Sequence, residues 1–211
     1  VSDQRSANRQ SAICNLQSAI PLTQLPDHPV ASKPFSFDAI PLTDRPTYDL
    51  LNTGETVGIF QLESPAQRAL QSRLKADNIE DVVASVALIR PGPIQGNMVD
   101  PFLARRKGAE PISYLHPELE SILEKTYGVV LFQEQVIEIA IKIAGFTPGE
   151  ADDLRRVMTH HRSHQQMKEI GENFIRKARA RGVPKEVADT VFSYIQSYAG
   201  YGFCEAHAAA F

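Results

Sequence analysis

Apolar residues recur along this chain mostly at helical spacing, in short runs separated by Gly and Pro. Pro46 to Asn52 reads as a short helix stopped by Gly54. Val57 to Leu62 (VGIFQL) reads as a strand. Ser64-Pro65-Ala66-Gln67 is a capping box with proline at the first helical position, and it opens a helix to about Leu74. Val82, Val83, Val86 and Ile89 form the stripe of a helix from Ile79, ended by Pro91-Gly92-Pro93. Further helices are predicted from Met98 to Arg106 and from Pro117 to Lys125. Val129 to Phe132 is short and apolar, a strand or a buried turn. Gln133 to Ala144 is apolar round most of its circumference, which implies burial between other elements. Thr147-Pro148-Gly149-Glu150 is a second capping box, and Glu150, Asp152 and Asp153 give its helix an acidic first turn that suits the dipole. A long basic helix follows from Ser163 to Ala180. Pro184 to Tyr198 carries the stripe Val187, Val191, Ile195 and Tyr198. Gly200 and Gly202 break the chain, and Ala206 to Phe211 begins another element. The expected fold class is mainly α, with one or two short β segments.

Residues 1–37 differ from the rest. They are rich in Ser, Gln, Asn and Pro with weak periodicity, and read as a poorly ordered leader or a broken element. The packed body is expected over residues 38–211, truncated at its C-terminal end, because a helix has just begun at Ala208-Ala209-Ala210-Phe211. No stretch reaches the roughly 18–20 consecutive apolar residues of a membrane helix. The polar start is not a signal peptide. Cys14 and Cys204 are far apart and read as free thiols, so a reducing, cytoplasmic location is expected. The net charge of −3 argues against a general nucleic-acid binder, but the distribution is uneven. Residues 151–185 hold nine Lys/Arg against four Asp/Glu, whereas residues 110–150 hold seven Glu against two Lys. Such asymmetry can place one positive surface on a mildly acidic protein; a solvated helix face explains it equally well.

The candidate chemistry is sparse. On the helix from Pro148, Ala151, Leu154 and Met158 form the inner face, with Arg155 at its rim and Arg156 about 100° further round. With His160, His161 and Arg162 they make a cationic edge, and guanidinium donors match phosphate oxygens bidentately. On spacing alone, an exposed pair bridging to Asp152 is the commoner arrangement. His160 and His164 are one turn apart, but a zinc site needs further ligands, and Cys204 and His207 serve only if the fold brings them close. Arg90 sits at a helix end, where a cation complements the dipole. Gln61, Glu63, Gln133, Glu134 and Gln135 stand where amides and carboxylates usually cap a helix or satisfy buried backbone. Tyr198, Tyr201, Phe203 and His207 surround two glycines and could stack on a base, though such clusters are more often packed corners. Nucleophile motifs and a P-loop are absent, and the adjacent Asp152 and Asp153 diverge on a helix.

Five strings go further. GIFQLES (Gly58–Ser64), ALIRPGPIQGNMV (Ala87–Val99), YGVVLFQEQV (Tyr127–Val136), AGFTPGEADDLRRVM (Ala144–Met158) and AGYGFCEAH (Ala199–His207) occur in this order. Each closely resembles a segment of bacterial DNA polymerase III alpha subunits, the C family of DNA polymerases. The resemblance covers about Asp38 to Phe211 and implies a helical fingers domain. It implies template-directed nucleotidyl transfer by the whole enzyme. A primer 3′-hydroxyl attacks the alpha-phosphate of a deoxynucleoside triphosphate, assisted by two Mg2+ ions on palm aspartates.

The family's paired fingers arginines match Arg155 and Arg156, so the resemblance makes these the triphosphate-binding residues. Arg90, Phe132, Gln133 and His207 are weaker candidates. The implied partners are a deoxynucleoside triphosphate, primer-template DNA and other replisome subunits. The departures matter too. The family's aspartate strings Pro-Asp-x-Asp and Phe-Asp-x-Leu-Gly do not occur, so no catalytic or metal-binding residue is assigned to this chain. Mg2+ would be held by residues outside it, and the chain alone is not expected to polymerise. Thr159, His160, His161 and Arg162 replace the Gly and lysine run of many members. Phe132 replaces a tyrosine of many replicative members, and with IRPGPIQG leans toward the error-prone branch. A non-enzymatic helical interaction module derived from such a polymerase is the alternative, and flanking gene sequence would discriminate the two.

Overall fold

A computed structural model describes residues 36, 39–90, 93–94, 97–159, 164–198 and 203–211. The chain divides into two units, Val1–Ile40 and Pro41–Phe211. Apart from Ser36, the expected leader lies outside the described residues. In the first unit the Ala39 amide donates to the Ser36 carbonyl at 3.1 Å.

The second unit is built of helices. In chain order they are α1 (Arg45–Thr53), α2 (Pro65–Leu74), α3 (Ile79–Leu88), α4 (Val99–Arg106), α5 (Glu120–Leu123), α6 (Gln133–Ala144), α7 (Pro148–Thr159), α8 (His164–Ala180), α9 (Lys185–Tyr198) and α10 (Glu205–Ala210). Local chemistry sets most of their ends. Asp44 caps α1 through the Thr47 amide at 3.0 Å, and Gly54 closes it at φ +76°. Ser64 caps α2 and Asn78 caps α3. The helix expected over Pro117 to Lys125 is broken up: single 3₁₀ turns, Pro117–Leu119 and Glu124–Thr126, flank the short α5.

The strand expected over Val57 to Leu62 does not form. Gly58 at φ +86° and Gln61 at φ +62° are both left-handed, which extended backbone does not allow. Two successive turns result, with Ile59 donating to Thr56 and Leu62 to Ile59. Among the described residues the β pairing is one isolated parallel bridge between Phe132 and Phe203.

Two hydrophobic clusters make the core. One holds α1 to α4 with Leu62, Ala76, Phe203 and Ala208; the other holds α5 to α9. The segment before α6 stitches them together. Val129 and Leu131 enter the first cluster, and Val130 enters the second. Gln135, buried in the first turn of α6, fixes this segment. Its Oε1 accepts from the Leu131 and Phe132 amides at 2.8 and 3.1 Å, and its Nε2 donates to the Thr126 hydroxyl at 2.8 Å. α6 packs against α5, α7 and α8, as its apolar pattern implies, although Ile141 faces solvent beside Glu138. α8 and α9 approach closely at Gly171, where a Cβ would stand 2.4 Å from the Phe192 ring.

Candidate functional site

The arginine pair singled out by the sequence stands on α7. Its start is fixed by both halves of the capping box. The Thr147 amide donates to Glu150 Oε2 at 2.8 Å, and the Glu150 amide donates to Thr147 Oγ1 at 3.3 Å. Lys177 of α8 donates to both Glu150 oxygens, at 2.5 and 2.7 Å. These bonds, the Lys177 ammonium first, hold the Glu150 carboxyl down at about 2 from an ordinary 4.5. The stabilisation is therefore complete above about pH 4.5 and is lost as pH falls toward 2. Acid titration of thermal stability between these limits will show a step that Lys177→Met reduces.

The inner face of α7 is locked as the wheel predicts, with Ala151, Leu154 and Met158 all buried. This turns Arg155 and Arg156 outward together. Arg155 Nε and Nη2 contact Asp152 Oδ1 at 2.9 and 2.8 Å, while Arg156 Nη2 contacts Asp152 Oδ2 at 2.8 Å. One carboxylate thus spans two neighbouring guanidiniums, and it is held below its usual range by the Arg155 bond and then by the charge of Arg156. The Arg156 side chain remains 65% exposed, within reach of a ligand. The bridge to Asp152 expected from spacing is present, and it aligns both cations along one helix edge. His160, His161 and Arg162 lie outside the described residues.

The four weaker candidates come together elsewhere, around Phe203. Arg90 lies flat over the Phe203 ring, 3.6 Å from its centroid. Phe132 pairs with Phe203 in the β bridge, and the Gln133 amide donates to the Phe203 carbonyl at 2.9 Å. His207 meets the Phe203 ring edge-on at 6.0 Å. Tyr198, buried below, accepts from the Phe203 amide at 2.6 Å and donates to the Leu131 carbonyl at 2.8 Å. Burial pushes its phenol well above the ordinary range and draws Arg90 below its own.

Glu134 ties in the following turn, accepting from Cys204 Sγ and from the Glu205 amide, each at 3.0 Å. Gln135 and Glu134 satisfy buried backbone, as expected for such positions. Phe132 is buried, and His207 is exposed. Tyr201 lies outside the described residues. Among the described residues, no three His, Cys, Asp or Glu side chains gather where a metal could be held. Their helices include none long and apolar enough to cross a membrane.

The model of the bacterial DNA polymerase III alpha subunit finger domain matches residues 19–182. The chain belongs to this finger-domain family. The matched fingers residues begin inside the segment that composition reads as a leader. An error-prone DNA polymerase from Symbiobacterium thermophilum is 70% identical over 175 residues, covering 83% of the chain and 16% of the relative. Another from Anaeromyxobacter dehalogenans is 47% identical, covering 84% and 16%. A DNA polymerase III subunit alpha from Pseudomonas aeruginosa is 44% identical, covering 85% and 16%. The finger domain thus spans about a sixth of the length of these curated relatives.

Sequence reasoning on the fingers residues missed one partnership. Arg106 of α4 enters the start of α3, where Asp81 is 2% exposed. Its Nε donates to Asp81 Oδ1 at 2.7 Å, its Nη1 to the Leu74 carbonyl at 3.0 Å and its Nη2 to Asp77 at 3.2 Å and to Asp81. The bond to Asp81 raises the Arg106 pKa above its already high value. No spacing rule links these residues, because they sit on different helices.

Proposed function

We propose that this chain supplies the fingers of a DNA-directed DNA polymerase and that Arg155 and Arg156 hold the triphosphate of the incoming deoxynucleotide. The observation that carries this reading is the pair of guanidiniums aligned by Asp152 on a helix whose buried face cannot turn. Two guanidiniums held side by side present adjacent donors when negative charge arrives. A triphosphate carries more charge than one carboxylate and outcompetes Asp152 for the bidentate donors. In the whole enzyme a primer 3′-hydroxyl attacks the alpha-phosphate and pyrophosphate leaves. Aspartates outside this chain would hold Mg2+, which would supply the charge that activates the hydroxyl and stabilises the leaving oxygens. Arg90, Phe132, Gln133 and His207 border the nucleotide from the Phe203 corner. The partners are primer-template DNA and the other replisome subunits, in the cytoplasm. Phe132 and the two error-prone relatives support the error-prone branch.

The test compares dATP, dADP and deoxyadenosine binding to the purified chain at low salt. Affinity is expected to rise with phosphate number and to fall steeply with added salt. The chain with Mg2+, primer-template and all four nucleotides is expected not to extend the primer. Equal affinity for deoxyadenosine and dATP would remove the phosphate-clamp reading.

A further inference from the structure

We propose that the cavity between the start of α2 and the end of α3 holds an unpaired nucleobase of a bound DNA strand, a reading that rests on the polymerase role above. This cavity, of about 430 Å³, is lined by Phe60, Gln61, Glu63, Gln67, Ile89 and Arg90, among others. Among the described residues, two buried polar atoms on that lining find no hydrogen-bond partner, the Gln67 Oε1 acceptor and the Arg90 Nε donor. Gln67 is 5% exposed, and its amide nitrogen is already committed to the Ser85 carbonyl at 2.9 Å. Leaving a buried donor or acceptor unpaired is costly, so a ligand that satisfies both atoms gains correspondingly. It must present a donor and an acceptor together.

Charge narrows the class. The Glu63 carboxylate shares the lining with the Arg90 guanidinium. A phosphate would meet repulsion from Glu63, whereas a neutral polar group would not. Shape narrows it further. Phe60 stands 64% exposed at the rim, its ring braced edge-on by Phe211 at 5.1 Å. An exposed aromatic platform beside a donor and an acceptor suits a flat heterocycle. Each nucleobase offers adjacent donor and acceptor atoms and a π-face, so the site is sequence-tolerant. The left-handed Gln61 (φ +62°) lies in the same turn, between Phe60 and the capped start of α2.

The experiment measures fluorescence anisotropy of the 211-residue chain with two labelled oligonucleotides of about 12 nucleotides. One is oligothymidylate and the other is the same backbone without bases. The wild-type chain is expected to prefer the base-bearing strand. Phe60→Ala is expected to weaken that strand alone, by about 5- to 150-fold, and to leave dATP binding unchanged. Gln67→Met, which keeps volume and removes the orphaned acceptor, moves the same ratio in the same direction. Equal binding of both strands by the wild type overturns the proposal, as does a Phe60→Ala loss shared equally by both. The triphosphate reading fails separately, through Arg155 and Arg156, with base discrimination at Phe60 intact.

Discussion

Arg106→Met is expected to lower the unfolding free energy by about 3–5 kcal/mol. The reason is the state of Asp81 once its partner is gone. Asp81 is 2% exposed and receives two guanidinium nitrogens of Arg106. Methionine fills the aliphatic path of the arginine but offers no donor. The carboxylate is then buried beside a polar contact from Asn78 Nδ2 and no cation within the former pair. The Leu74 carbonyl at the end of α2 loses its Nη1 donor as well. One side chain therefore unties α2, α3 and α4 together. Thermal or denaturant unfolding checks this, and the double variant Arg106→Met with Asp81→Leu is expected to recover much of the loss, because the uncompensated charge is the main cost.

Arg155→Ala with Arg156→Ala is expected to weaken dATP binding at low salt by about a hundredfold or more, taking roughly 1.5–3 kcal/mol for each charge-assisted hydrogen bond. Stability should change little. Both arginines project from the outer side of α7, and the inner side is held by Ala151, Leu154 and Met158. The double variant also frees Asp152, whose carboxylate would then add a repulsive charge on the same edge. Loss of binding without loss of the fold separates a ligand role from a structural one.

How far these features were legible depends on the range of the interactions. α7 was readable because Thr147, Glu150 and the apolar stripe lie within one short segment, and the structure keeps all of them. The Asp152 bridge was readable for the same reason. VGIFQL misled because its composition is that of a strand while Gln61 takes a left-handed conformation that no composition announces. The corner around Phe203 joins residues from the end of α3, the start of α6 and α10. Its members were each nameable in the sequence, but their meeting is a tertiary fact. Arg106 and Asp81 are 25 residues apart on different helices, so no local pattern pairs them. The Gln67–Arg90 cavity was invisible for a related reason: unpaired atoms arise only when the packed neighbours fail to supply partners.

We propose that Arg155 and Arg156 act as one clamp for a nucleotide's phosphates. Titrating a fluorescent deoxynucleoside triphosphate against the wild-type chain and the Arg155→Ala, Arg156→Ala double variant at low salt tests it most directly. Saturable binding by the wild type is expected, with a loss of about a hundredfold or more in a variant that still melts cooperatively. Unchanged affinity in a folded double variant would contradict it.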